Sequence, residues 1–225
     1  MSSRSRLLIF LLLFIGAVPL GSCLNANRFS ELRFNQPSSY YLYVPDTYKT
    51  NLRWPLFIAL HDVGEDSLNC ISTWLEIAED NQFFLLCPDL EAEADSLDRP
   101  ENDRLLASIL EHLYQDYELG ERFFLAGRGE AARLALSYAF RYPQAIAGVA
   151  AIDPPGYPPD SDRQENLPIL LILDSRDQMA VEAGDVFISS SSSTQTRLLQ
   201  IDGLGGGVPF SLQRLSVDLF KQVTR

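Results

Sequence analysis

The chain has 225 residues, 46% of them apolar, with 30 acidic side chains against 18 basic ones and a formal net charge of −12. That length suffices for one domain with a sizeable core. The excess of acid argues against nucleic acid, or an anionic surface gripped by a basic patch, as a partner. At the start, Arg4 and Arg6 form a basic n-region, and residues 7–18 (LLIFLLLFIGAV) are an apolar run too short to span a bilayer comfortably. The pattern is that of a signal peptide over residues 1–22.

The run ends in Leu20-Gly21-Ser22-Cys23, which resembles the lipobox of bacterial lipoproteins. The resemblance implies cleavage before Cys23, a diacylglycerol on its sulfur, and a protein held by acyl chains in the cell envelope, facing the periplasm or the cell surface. The alternative is an ordinary secretory signal with a chance cysteine. Residues 1–22 hold Arg4 and Arg6 and no acid, so cleavage deepens the charge to −14.

Residues 23–38 read as a polar tether, and residues 39–225 as one folded domain. Residues 40–44 (YYLYV) form a strand ended by Pro45. Residues 56–60 (LFIAL) and 83–87 (FFLLC) are short apolar runs, the pattern of strands buried on both faces, with a helix over 67–80 between them. Leu105, Leu106, Ile109, Leu110 and Leu113 make a helical stripe. A strand at 123–126 leads into a helix over 130–141, which Tyr142-Pro143 stops. Strands at 148–152, 169–173 and 197–201 and a helix over 210–223 complete the pattern. Strands alternating with helices imply an α/β fold, a mostly parallel sheet with helices on both faces. The proline-rich loop at 154–168 is too short for a large lid, and five serines at 189–193 read as a solvated loop.

With Cys23 lipidated, Cys70 and Cys87 remain. Export permits a disulfide between them, closing a loop of about 18 residues that would contribute about 3 kcal/mol. Two buried free thiols are the other reading.

Four motifs in order carry a resemblance: Tyr-Leu-Tyr-Val-Pro at 41–45, Pro-Leu-Phe-Ile-Ala-Leu-His at 55–61, Cys-Pro-Asp at 87–89 and Phe-Leu-Ala-Gly at 124–127. They look like the α/β-hydrolase superfamily, nearest to small secreted esterases similar to polyhydroxyalkanoate depolymerases and feruloyl esterases. That resemblance implies a Gly-x-Ser-x-Gly nucleophile elbow and a triad in the chain order Ser…Asp/Glu…His. Here the elbow reads Gly127-Arg128-Gly129-Glu130-Ala131, with Gly129 in the serine's place. The family's histidine loop matches residues 201–209, with Gly206 in the histidine's place. No histidine follows His112. Asp177, in Leu-Ile-Leu-Asp-Ser-Arg-Asp, matches the triad acid. The three vestigial positions are therefore Gly129, Asp177 and Gly206.

The oxyanion loop of the family tends to read His-Gly-x-Gly, and here it is His61-Asp62-Val63-Gly64. Asp62 brings a carboxylate to where negative charge would develop, unhelpful to catalysis unless it turns away. Glu130 follows the apex, where the second oxyanion N–H belongs, and also suits a helix's first turn. His61 is expected to be a structural hydrogen-bonding residue and His112 a solvated one. No His pair or Cys cluster stands at metal-ligand spacing, so no metal or cofactor is expected. Convergence of Asp62, Glu130 and Asp177 is the one arrangement that would favour a cation.

These features point to a lipid-anchored, exported relative of esterases that has lost hydrolysis and acts by binding an unknown small molecule or protein. The alternatives are an active carboxylic-ester hydrolase with an atypical site and a purely structural envelope lipoprotein. An accessible cavity over Gly129 and Gly206 would favour the ligand binder over the structural lipoprotein; a collapsed pocket would do the reverse.

Overall fold

The computed structural model describes residues 30–33, 39–94, 96–159, 166–190 and 195–224. The elements are β1 (Ser30–Arg33), β2 (Ser39–Tyr43), β3 (Leu56–Leu60), α1 (Ser67–Asn81), β4 (Phe84–Pro88), α2 (Pro100–Asp116), β5 (Phe123–Arg128), α3 (Glu130–Arg141), β6 (Ile146–Ile152), β7 (Ile169–Asp174), α4 (Gln178–Ser189), β8 (Thr196–Ile201) and α5 (Phe210–Val223). The strands form one sheet in the order β1-β2-β4-β3-β5-β6-β7-β8. β2 runs antiparallel to β1 and β4, and every other pairing is parallel. The apolar runs became strands because an apolar strand flanked by helix layers is dry on both faces, and β3 and β4 are buried at every position.

Two cores result. On one face α1 and α5 cover an aromatic cluster in which Phe57 packs on Trp74, Phe83, Phe124 and Phe220 with ring centroids 5.1–5.4 Å away. On the other face α2, α3 and α4 bury Leu106, Ile109, Leu110 and Leu113, the predicted stripe, with Leu134 and Phe187. Helix starts follow local chemistry. Asp66 caps α1 by accepting from the N–H of Asn69 at 2.7 Å, and Pro100 opens α2, where its missing N–H is no loss.

Two elements depart from the sequence reading. Residues 30–33, expected in the tether, pair as the edge strand β1. Helix α4, which the apolar pattern does not announce, starts on a cap made by Asp177. The rest of the tether, the signal segment and Cys23 lie outside the described residues, as do 160–165 within the proline-rich loop and 191–194 within the serine run.

The parallel strands all end on one edge. That edge gathers the segment after β3, the β5–α3 turn, Asp153 after β6, Asp174 at the end of β7 and the glycine loop after β8. In open α/β sheets this carboxyl edge is where ligands bind.

Candidate functional site

At the elbow, β5 turns at Gly129, with φ 59° and ψ −130°, directly into α3. An L side chain is strained there, and glycine is not. Gly127 is small for a different reason. A Cβ on it would stand 2.5 Å from the carbonyl carbon of Ala131 and 2.6 Å from its oxygen, so the strand and helix could not approach.

The space a nucleophile would fill is occupied. A Cβ on Gly129 would lie 2.1 Å from Oδ2 of Asp62. Asp62 Oδ1 accepts the N–H of Glu130 at 2.9 Å and the N–H of Val63 at 2.9 Å. One donor follows the elbow apex and the other lies in the loop after β3, the two sources of an oxyanion hole. The carboxylate therefore turns into the hole, not away from it. There it also caps α3, whose own Gly129 has no side chain to offer.

His61 holds this arrangement from below. It is 3% exposed, and its Nε2 accepts the Leu90 N–H at 2.8 Å. An amide only donates, so the ring proton sits on Nδ1 and is given to the Asp62 carbonyl, 3.0 Å away. Glu130 offers the site only its backbone: its carboxylate takes two hydrogen bonds from Arg133, at 2.6 and 2.9 Å. Arg128 reaches across from the elbow and donates to the carbonyl of Gly205.

The acid and histidine positions are arranged differently. Asp177 caps α4, accepting the N–H of Ala180 at 3.0 Å. It is Asp174, which the sequence reading passed over, that faces the glycine loop. Its carboxylate accepts N–H groups from Arg176 (3.0 Å), Gly203 (3.1 Å) and Leu204 (3.0 Å). Those donors, the Arg176 amide first, hold its carboxyl below the ordinary value. Gly206 is exposed, and a Cβ on it would meet nothing within 4 Å. Asp153, with φ 50°, has its carboxyl pushed above the ordinary value by burial, an effect the Arg128 charge opposes.

Asp62, Glu130 and Asp177 thus do not converge, which removes the one cation arrangement the sequence offered: each carboxylate is engaged by a different partner. Among the described residues no group of three or more His, Cys, Asp or Glu side chains could hold a metal ion. Cys70 and Cys87 are buried free thiols rather than a disulfide. Cys70 donates to the Ala59 carbonyl at 3.2 Å, and burial, then contact with Cys70, pushes the Cys87 thiol up. His112 is exposed on α2, its Nδ1 2.8 Å from the Ser108 carbonyl.

No protein-family model and no curated protein matches the sequence. Solved structures do. A thermostable esterase superposes with a TM-score of 0.71 at 17% identity, covering 88% of this chain and 64% of its own. An S-formylglutathione hydrolase from Staphylococcus aureus gives 0.68 at 10% identity, with 87% and 96% covered. A ferulic acid esterase gives 0.64 at 11%, with 87% and 95% covered. The chain has the α/β-hydrolase fold.

At such identities the likeness establishes the fold alone. What this α/β-hydrolase fold can do is set by its own residues. Beside Asp62 lies a cleft of ≈ 40 Å³, bordered by His61, Asp62, Glu65, Arg128 and Val208. Attack by Asp62 Oδ2 on an ester is not served by this geometry. The two N–H groups that would stabilise the resulting oxyanion already hold the same carboxylate, and no imidazole stands ready to activate water. The visible signal for this carboxylate was Asp62 itself, directly after the His61 that ends the β3 run.

Proposed function

We propose that this is a non-hydrolytic protein of the α/β-hydrolase fold, exported, lipid-anchored at Cys23, and acting by binding a protein partner. The observation that carries the reading is the Asp62 carboxylate, seated on both oxyanion donors and in the volume of the missing nucleophile. A cleft of ≈ 40 Å³ beside Asp62 has no room for an ester-like molecule or a glycan fragment, which supports a partner bound elsewhere on the domain.

The test is hydrolysis of short-chain p-nitrophenyl esters by the full chain in zwitterionic-lipid nanodiscs. The native chain is expected to be silent. Gly129→Ser/Gly206→His is expected to stay silent too, because Asp62 still fills the hole, and activity is expected only when Asp62→Gly is added. Native turnover well above the uncatalysed rate would overturn the proposal. For the anchor, Cys23→Ser is expected to release the chain from membrane fractions; retention of that variant would overturn it.

A further inference from the structure

Beside the filled site the same edge of the sheet carries an open apolar groove of ≈ 650 Å³. One wall is Tyr157, Pro158 and Pro159, after β6. The other is α4, which presents Met179, Val186 and Phe187. Met179 is 80% exposed and Val186 69% exposed, unusual for apolar side chains on one helix face. Packing holds the tyrosine wall: its ring stacks on Phe187 at 4.4 Å and 20°, and its buried hydroxyl has no hydrogen-bond partner among the described residues.

Among the described residues the charge that lines this groove is acidic. Glu182 lines it, and α4 carries Glu182 and Asp185 with no lysine or arginine. Asp153 and Asp185 are the charged groups that act on the Tyr157 phenol, which burial first and then these two carboxylates push up to about 12. Among the described residues, two cations stand beyond Tyr157–Pro159 in a separate pocket of ≈ 140 Å³, and both are neutralised. Arg133 pairs with Glu130 at 2.6 Å, and Arg141 pairs with Asp98 at 2.9 Å and Asp103 at 2.8 Å. The chain as a whole is at −12.

An apolar floor with an acidic rim is complementary to apolar anchors flanked by positive charge. We infer that the α4 groove docks a basic segment of a partner protein, with apolar side chains seated against Met179, Val186 and Tyr157 and lysines or arginines facing Glu182 and Asp185. The inference names the partner class for the binding role proposed above and rests on that reading. Among the described residues the groove is open on its outer side, which suits a polypeptide that enters and leaves it better than a small molecule that must be enclosed.

The experiment uses three fluorescein-labelled 12-residue peptides that share two leucines and a phenylalanine and differ only in charge, +4, 0 or −4. Fluorescence anisotropy is read against the full chain in zwitterionic-lipid nanodiscs at low and high salt. The +4 peptide is expected to bind about tenfold tighter than the −4 peptide, with the gap narrowing in salt. Met179→Arg/Val186→Arg, at two exposed positions that leave the fold intact by circular dichroism, is expected to weaken the +4 peptide about tenfold or more. Glu182→Gln is expected to weaken it about threefold. Equal affinity for the +4 and −4 peptides overturns the inference, as does binding indifferent to Met179→Arg/Val186→Arg. So does failure of all three peptides to bind at about 1 mM. Displaceable binding of the apolar dye 1-anilinonaphthalene-8-sulfonate in the groove without peptide binding likewise overturns it, in favour of a small ligand. Ester hydrolysis by a chain that still selects the cationic peptide would sink the non-hydrolytic reading and leave the groove standing.

Discussion

The elbow and the loop after β8 carry glycine, at Gly129 and Gly206, in unlike surroundings. At the elbow the space over Gly129 is filled: Asp62 Oδ2 stands 2.1 Å from where a Cβ of Gly129 would be, and the carboxylate ties β3's loop to α3. At the histidine loop nothing moved in, and Gly206 faces open solvent with no atom within 4 Å of a notional Cβ. The difference follows from depth. A buried helix N-terminus leaves N–H groups that need an acceptor, whereas an exposed loop finds its acceptors in water. A helix start in the interior therefore takes a side-chain acceptor such as Asp62, and an exposed glycine loop does not need one at Gly206.

Substitutions sharpen this contrast, the largest effects falling on the elbow. Gly127→Ala forces a Cβ against the Ala131 backbone, and a destabilisation of about 4 kcal/mol or more is expected in urea unfolding. Gly129→Ser should cost about 2–4 kcal/mol, from strain and from the clash with Asp62. In a double-mutant cycle Asp62→Gly should recover at least about 1 kcal/mol of that, since the pair compete for one volume. Strict additivity of the two would show that Asp62 does not fill the nucleophile's space. Gly206→His, by contrast, should leave the unfolding midpoint within about 0.5 kcal/mol of native.

The acids at the rim give smaller, pH-dependent effects. Asp174 has a lowered carboxyl, so the strap it forms on Gly203 and Leu204 is fully present above the ordinary carboxylate range. The strap is lost as pH falls through the lowered value. Amide exchange at Gly203 and Leu204 is expected to quicken in acid, and Asp174→Ala should bring the faster exchange to neutral pH. Asp153 has the opposite sign. Its raised carboxyl favours the folded state below the ordinary value, and that contribution is lost as pH rises through the raised one. Asp153→Asn should therefore raise the melting temperature slightly at neutral pH and leave it unchanged in acid. A gain at both pH values would mean that burial of the charge is not the cause.

Much of this could be read along the chain. Five of the eight strands, β3 to β7, are apolar runs that a doubly covered sheet buries, and the elbow announces itself as small residues between a strand and a helix. Asp177 shows where such reading stops. Two aspartates three residues apart follow the same strand, and the pattern that matches Asp177 to the triad acid says nothing about which one faces the loop after β8. The structure gives Asp177 to α4 as its cap and Asp174 to the loop. Helix α4 escaped notice for a related reason: its apolar side chains lie on both its buried and its groove-facing sides, which blurs the period of 3.6.

The sequence by itself determined the fold class, the position of the strand–glycine–helix turn with Gly129 at its apex, and the fact that no histidine follows His112. These are matters of local pattern and of residue identity, which no packing can alter. Only the tertiary structure decided what the Asp62 carboxylate does. Its two donors are one residue and 68 residues away in the chain, and they meet at a single oxygen because β3 and β5 are neighbours in the sheet.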